Sequence, residues 1–171
     1  MNDSSEYYVD DLDFALLAHL QEDGRKSFTD IAKDLNIAVG TVRNRVTKLL
    51  DDKTLRIIGR INPHRVGFNA PATINVSVQP QFIEEAVEEI AKFPEVSYLA
   101  IVTGKYDLVV DVMCENMGHL TEFIINRLSK INGVKDIETS IVLRIAKFAQ
   151  PDLRLIKSHK PVYEIDTHGT R

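Results

Sequence analysis

A chain of 171 residues has room for one domain or two small ones, and its 44% apolar and 27% charged content is ordinary for a globular protein. No apolar run approaches the ~20 residues that would cross a membrane, the acidic opening MNDSSEYYVDD does not read as a secretory signal, and the single cysteine, Cys114, excludes an internal disulfide, so a cytoplasmic protein is expected. The net charge of −4 argues against indiscriminate attraction to nucleic acid, but the charge is unevenly placed.

Residues 1–9 are expected to be disordered. Residues 1–24 hold seven acids and no Lys or Arg. Within them a helix should begin near Asp10 or Asp11 and run to about Gln21, with Leu12, Leu16, Leu17 and Leu20 inward and Gly24 beyond its end. The next stretch, residues 25–65, has ten bases and four acids, net +6. It contains SFTDIAKDLNIAVGTVRNRVTK from Ser27 to Lys48, which reads as two short helices. Phe28, Ile31, Ala32 and Leu35 have helical spacing, and so do Ile37, Val39, Val42, Val46 and Leu49. Asn36-Ile37-Ala38 between them leaves room only for a sharp reorientation, as in a helix-turn-helix. With Val42, Val46 and Leu49 inward, Thr41, Arg43, Asn44, Arg45, Thr47 and Lys48 occupy the other faces of the second helix. Arg and Asn can read guanine and adenine edges, while Thr and Lys suit phosphates.

The positive charge therefore coincides with the helix-turn-helix pattern, as an electrostatic DNA footprint requires. Arg43 and Asn44 are the foremost candidate readers. Ser27 and Thr29 open the first helix of the pair, where a hydroxyl either caps the helix or meets phosphate; for Ser27 capping is the favoured reading. Lys48, Arg56 and Arg60 are candidate phosphate contacts, with solvated surface as the plain alternative.

Leu55 to Asn62, LRIIGRIN, reads as a short strand, and Pro63 to Pro71 as a linker. From Ala72 the rhythm changes. Ile74, Val76 and Val78 alternate with Asn75, Ser77 and Gln79, a half-buried strand. Phe82 to Phe93 is an amphipathic helix with Ile83, Val87 and Ile90 inward and Glu84, Glu85, Glu88 and Glu89 outward. Val96 to Val102 is a strand, Thr103-Gly104-Lys105 a turn, and Leu108 to Cys114 a strand in which a buried, inert thiol is expected. Leu120, Phe123, Ile124, Leu128 and Ile131 mark a second helix ended by Gly133, and Ile137 to Phe148 is a last strand. The order β-α-β-β-α-β is that of a ferredoxin-like fold. The first and last strands are expected to flank the others in an antiparallel sheet with both helices on one face. Ile101, Val109 and Val142 are candidates for the other face, and a second copy of the sheet is its simplest cover, which implies a dimer.

In Thr103-Gly104-Lys105-Tyr106-Asp107, Gly104 permits close backbone approach, main-chain N–H groups could take a carboxylate, and Asp107 could accept an ammonium group. A plain hairpin turn is the competing reading. Enzyme signatures are poor: His19, His64, His119, His159 and His168 lack metal-ligand spacing, and TGKYD shares only two letters with a phosphate-binding loop. No cofactor or metal is expected.

Taken together, LDFALLAHLQEDGR, FTDIAKDL and GTVRNRVTKLL in the first half, with VTGKYDLVVDV, INGVKDIETSIVL and the closing Lys147 in the second, resemble the Lrp/AsnC family of transcription regulators over roughly residues 10–150. The resemblance implies an α+β chain with an N-terminal winged-type helix-turn-helix domain (10–62), a linker (63–71), a C-terminal ferredoxin-like βαββαβ effector-binding and dimerisation domain (72–150), and a tail (151–171). It implies binding to double-stranded DNA as homodimers that associate further, commonly to octamers. A small-molecule effector, usually an amino acid, would bind around Thr103–Asp107 and the last strand near Glu138, Thr139 and Ser140. Arg45 matches an arginine almost standard in the family, which binds phosphate or braces the domain. The chain departs from the family at Ala38, where a capping serine is usual, and at Asp52-Lys53-Thr54, where a glycine is usual. Its tail from Asp152 to Arg171 is also longer than usual. Siroheme decarboxylases look like this family and carry His and Arg at the junction of the halves; Arg60, His64 and Arg65 are the residues that admit this alternative.

Overall fold

The computed structural model describes residues 8–156. Most of the N-terminal stretch expected to be disordered, and the tail beyond residue 156, lie outside the described residues. The chain divides into two compact units: residues 8–60 with 148–156, and residues 61–147. Among the described residues no helix is long and apolar enough to cross a membrane.

In the first unit three helices, α1 (Asp11–Glu22), α2 (Phe28–Asp34) and α3 (Val39–Asp51), enclose one core. It consists of Leu16, Leu20, Ile31, Ala32, Val42 and Val46, with Leu12, Phe28, Leu35, Ile37 and Leu55 packed around it. Each helix start reflects its local residues. Asp10 and Asp13 cap α1 reciprocally, each carboxylate accepting the other's main-chain N–H at 3.0 and 3.1 Å. Ser27 Oγ caps α2 by accepting the Asp30 N–H at 3.1 Å. Ala38 provides α3 with no side-chain cap, and Thr41 does not replace it.

The turn between α2 and α3 is closed by two main-chain bonds, Asn36 N–H to Lys33 O (3.3 Å) and Ile37 N–H to Ala32 O (2.9 Å). Asn36 stands at φ 52°, the left-handed position of a Schellman turn, where Asn is the best tolerated residue after glycine. At the end of α3 Lys53 takes φ 63°, its N–H donating to Leu50 O at 3.1 Å, and the Leu55 N–H donates to Leu49 O at 2.9 Å. The chain returns at its C-terminal end to this unit: the Arg60 guanidinium lies 3.4 Å over the Phe148 ring, and Gln21 Nε2 donates to Pro151 O at 2.9 Å.

Leu55 to Asn62, expected as a strand, forms none. A strand exists through its ladder partner, and this segment has none among the described residues; Ile57, Ile58 and Ile61 are 49%, 70% and 61% exposed. The expected linker is likewise structured, with a 3-10 turn over Pro63–Val66 and a strand that begins at Ala70, two residues early.

The second unit contains β1 (Ala70–Val78), α4 (Ile83–Ile90), β2 (Val96–Ile101), β3 (Leu108–Cys114), α5 (Met117–Glu122, continued by a π-helical turn over Phe123–Arg127) and β4 (Val134–Ile141). The strands are antiparallel in the order β2-β3-β1-β4. The first strand is thus central and does not flank the others as expected. A helix about 10–12 Å across spans two strand spacings of about 4.8 Å, so each helical crossover skips one strand and leaves the gap for another. Ile74, Val76, Val78, Leu108, Val110 and Val112 pack with Ala86, Ile90, Leu120, Phe123 and Leu128 in one core, so both helices cover the same face. Gly133, at φ 82°, lets the chain pass Phe82, whose Cβ a side chain there would approach to 2.5 Å.

Register corrects the opposite face. Ile101 pairs with Leu108, which belongs to the helix side, whereas Val109 pairs with Asn75 and Ala100 on the open side. That open side is mixed, with Thr73, Asn75, Ser77, Asp111, Glu138 and Ser140 beside Val109 and Met113. The last strand also stops at Ile141: Val142 N–H to Pro71 O is its final ladder bond, because β1 begins at Ala70 and offers nothing beyond.

Glu95, only 8% exposed at its side chain, anchors α5 to the strand layer by accepting from His119 Nε2 (3.1 Å) and Arg127 Nη1 (2.5 Å), while the Arg127 guanidinium lies 4.3 Å over Phe93. Burial pushes the Glu95 carboxyl up, but the bonds from His119 and Arg127 and the main-chain bond outweigh it and hold it below the usual range. Burial pushes the Cys114 thiol up, in keeping with an inert core residue.

Lys53 provides a test of the first unit. A left-handed L-residue costs roughly 1–2 kcal/mol, and glycine forfeits about half to one of these through its freer unfolded chain. Lys53→Gly is therefore expected to stabilise the protein by about 0.5–1 kcal/mol in urea denaturation. A loss of stability would show that the Lys53 side chain contributes more than its backbone strain costs.

Candidate nucleic-acid interface

The recognition surface follows from the burial of α3. Val42, Val46 and Leu49 are fully buried, so successive steps of about 100° carry the remaining side chains outward. Thr41, Arg43, Asn44, Thr47 and Lys48 are exposed, and with Arg45 they line a shallow, open depression of about 580 Å³. Two cations, an amide and two hydroxyls on one helix surface can meet base edges and phosphates in a major groove about 12 Å wide. Thr29 is exposed in the first turn of α2, and Arg56 in the irregular segment after α3.

Two expected contacts are otherwise engaged. Ser27 Oγ caps α2 and donates to the Asp30 carboxylate at 2.6 Å. Arg45 turns toward the start of α1, where Nη1 donates to Asp10 Oδ2 at 2.6 Å and Asp13 Oδ2 at 3.2 Å. Of the two roles open to Arg45, the structure displays bracing. Asp13 is fully buried, and the acid pair that caps α1 is the same pair that holds α3 against it. Those partners went unassigned in the sequence reading; the DDLD run ahead of an apolar helix is the signal that could have found them.

In the second unit the Thr103–Asp107 turn joins β2 to β3, with Gly104 at φ 134° and open space where a side chain would stand. The turn does meet the last strand. Tyr106 Oη donates to Glu138 Oε2 at 2.6 Å, and Lys105 Nζ lies 3.7 Å from the same oxygen. Ser140 shares that sheet face, opposite Thr73. Thr139 does not: it pairs with Ile74 on the helix side, because alternate residues of a strand point to opposite faces. Asp107 serves the backbone rather than standing free for an ammonium group, its Oδ2 accepting the Val78 N–H at 2.8 Å beside a register shift in β1. Among the described residues no group of His, Cys, Asp and Glu could hold a metal ion.

Comparison with known proteins places both halves. The family model for an AsnC-type helix-turn-helix domain matches residues 9–50, and that for an Lrp/AsnC ligand binding domain matches residues 71–151. The uncharacterised HTH-type transcriptional regulator PH0140 of Pyrococcus horikoshii is 39% identical over 85% of this chain and 92% of its own length. The HTH-type transcriptional regulator Ptr1 of Methanocaldococcus jannaschii is 30% identical over 81% of this chain and 95% of its own length. Among solved structures, E. coli AsnC is similar with a TM-score of 0.78, at 23% identity over 85% of this chain and 99% of its own. A Neisseria meningitidis transcriptional regulator in complex with L-Met gives 0.77, at 24% identity over 86% and 99%.

The Arg45 brace makes a pH-dependent prediction. Burial pushes the Asp10 carboxyl up, but the Asp13 N–H and the Arg45 guanidinium outweigh this and hold it below the ordinary range. A carboxyl depressed in the folded state contributes stability that is present above its unfolded pKa and lost as pH falls through the folded one. Arg45→Met is expected to cost about 1–3 kcal/mol near neutrality, and the gap to wild type should narrow as pH falls below the carboxylate range. Urea denaturation at about pH 7 and about pH 3 measures it; an equal gap at both would show that the ion pair is not the cause.

Proposed function

This chain belongs to the Lrp/AsnC family of transcription regulators, and from that premise we propose that it binds a specific double-stranded operator through α3 and is tuned by a small molecule, an α-amino acid, held by the second unit. The observation that carries the DNA reading is the outward face of α3, with Arg43, Asn44, Thr47 and Lys48 opposite a fully buried apolar stripe. The net +6 of residues 25–65 supports it, since an acidic chain has concentrated its cations there. Arg43 and Asn44 read base edges, Thr41, Thr47, Lys48, Thr29 and Arg56 contact phosphates or edges, and Arg45 positions the helix.

Assembly follows from the sheet. Val109 and Met113 on its open face are only half-buried, and a second copy covers them; two recognition helices then call for a pseudo-palindromic operator with half-sites about 34–36 Å apart or a multiple of this. Further association of dimers is the route by which a ligand alters DNA occupancy. The amino-acid reading rests on the ligand-binding family model and on the Neisseria regulator solved with L-Met. The chemistry for it in this chain is Lys105 for a carboxylate, Glu138 for an ammonium group, and main-chain N–H groups around Gly104, with Tyr106 and Ser140 alongside. Asp107 shapes the turn that presents them.

Gel-shift titration at two salt concentrations tests the first half. Arg43→Ala and Asn44→Ala should each weaken operator binding by about 1–3 kcal/mol, while Lys48→Ala should lower affinity for all sequences and flatten the salt dependence. Normal operator binding by both the Arg43 and the Asn44 variants would reject α3 as the reader.

Calorimetry across the standard amino acids tests the second half. One should bind, and Glu138→Ala should abolish its binding while leaving DNA affinity without ligand unchanged. Equal binding by the Glu138 variant would move the pocket elsewhere.

A further inference from the structure

Glycine is the poorest helix former other than proline, so a glycine inside a helix calls for a reason. Two glycines lie within α-helices among the described residues. For Gly118 the reason is local: a side chain there would come within 3.1 Å of Asn116 Oδ1, the oxygen that caps α5. For Gly40 the fold supplies none. Its φ is not in the left-handed range, and a Cβ built on it would meet nothing within 4 Å among the described residues. The same turn also begins without a side-chain cap, at Ala38. The first turn of α3 thus makes two choices that weaken a helix, and no contact among the described residues accounts for either.

Position accounts for Gly40. With Val42, Val46 and Leu49 buried, steps of about 100° put the opposite pole of α3 along Gly40, Asn44 and Thr47, one helical turn apart. The C-terminal end of that helix carries Asp51 and the following Asp52, both exposed, which oppose approach to phosphates. The N-terminal end is therefore the one that enters a groove, and Gly40 is its outermost residue. A residue with no Cβ at that point lets the helix backbone approach the base edges more closely than any other residue would.

We infer that Gly40 sets the depth at which α3 seats in the major groove: the absent side chain is the contact, and operator specificity through Asn44 depends on it. The inference rests on the proposed DNA reading of the same helix.

Gly40→Ala and Gly40→Leu test it, because both replacements are better helix formers and a Cβ at this position meets nothing within 4 Å among the described residues. The probe is a duplex selected by the wild-type protein from a random-sequence library, with a scrambled duplex of equal length as control. Thermal midpoints should be equal to or above that of wild type. Affinity for the selected duplex should fall about tenfold or more for Ala and further for Leu, while affinity for the scrambled duplex stays within about threefold of wild type, since phosphate contacts dominate there. Wild-type affinity of both variants for the selected duplex overturns the inference, and so does a lowered thermal midpoint, which would make Gly40 a structural residue. If the wild-type protein selects no duplex at all, the DNA reading itself fails, an outcome distinct from either.

Discussion

The complete burial of Val42, Val46 and Leu49 is the constraint on which the first unit depends. Three side chains on one stripe contribute roughly 1.5–3 kcal/mol each on burial. Rolling α3 by one residue would exchange them for Arg43, Thr47 and Leu50, and an unpaired buried charge costs far more than that gain. The roll of the helix is therefore determined, and with it the residues that face outward. The Schellman turn at Asn36 fixes where α3 starts, and Arg45 fixes how it lies against α1. Arg45 thereby links the helix to the rest of the unit: it reaches the capping acids of α1 from the same helix whose other faces carry the exposed Arg43, Asn44, Thr47 and Lys48.

The second unit divides its labour differently. Its core lies entirely on the helix side of the sheet, so the open side and the β2–β3 turn are left for polar chemistry. Asp107 and Gly104 shape the turn, one by accepting the Val78 N–H and the other by taking a φ closed to most residues. Lys105, Tyr106 and Glu138 then meet at one end of the sheet. Glu95 does for α5 what Asp10 and Asp13 do for α3: a carboxylate that accepts from an arginine positions a helix. In both units acids paired with an arginine orient a helix.

Much of this was legible in the order of residues. The three helices of the first unit, the inward stripe of α3, the alternation in β1 and the bounds of β3 all follow from periodicity, which is local and survives in any context. The acidic and basic blocks were equally plain, because charge is a property of composition. LRIIGRIN shows where that approach ends. Its residues favour a strand, yet no partner lies beside it among the described residues, and β propensity expresses itself only through a ladder. The same reasoning cut the last strand at Ile141, where its neighbour β1 runs out.

Side-chain roles separate along the same line. The family resemblance groups Thr139 with Glu138 and Ser140, but strand alternation sends it to the opposite face. Ser27, Arg45 and Asp107 are polar residues in plausible places, and whether each serves a partner or the fold depends on which acceptor or donor stands within about 3 Å. Those partners are three residues away for Ser27, 29 for Asp107 and 35 for Arg45. The sequence alone determined the family, the elements and the charged helix, because these depend on spacing along the chain. Only the tertiary structure decided that β1 is central, which face each strand residue joins, and which polar groups are already engaged, because hydrogen bonds and burial are set by neighbours in space.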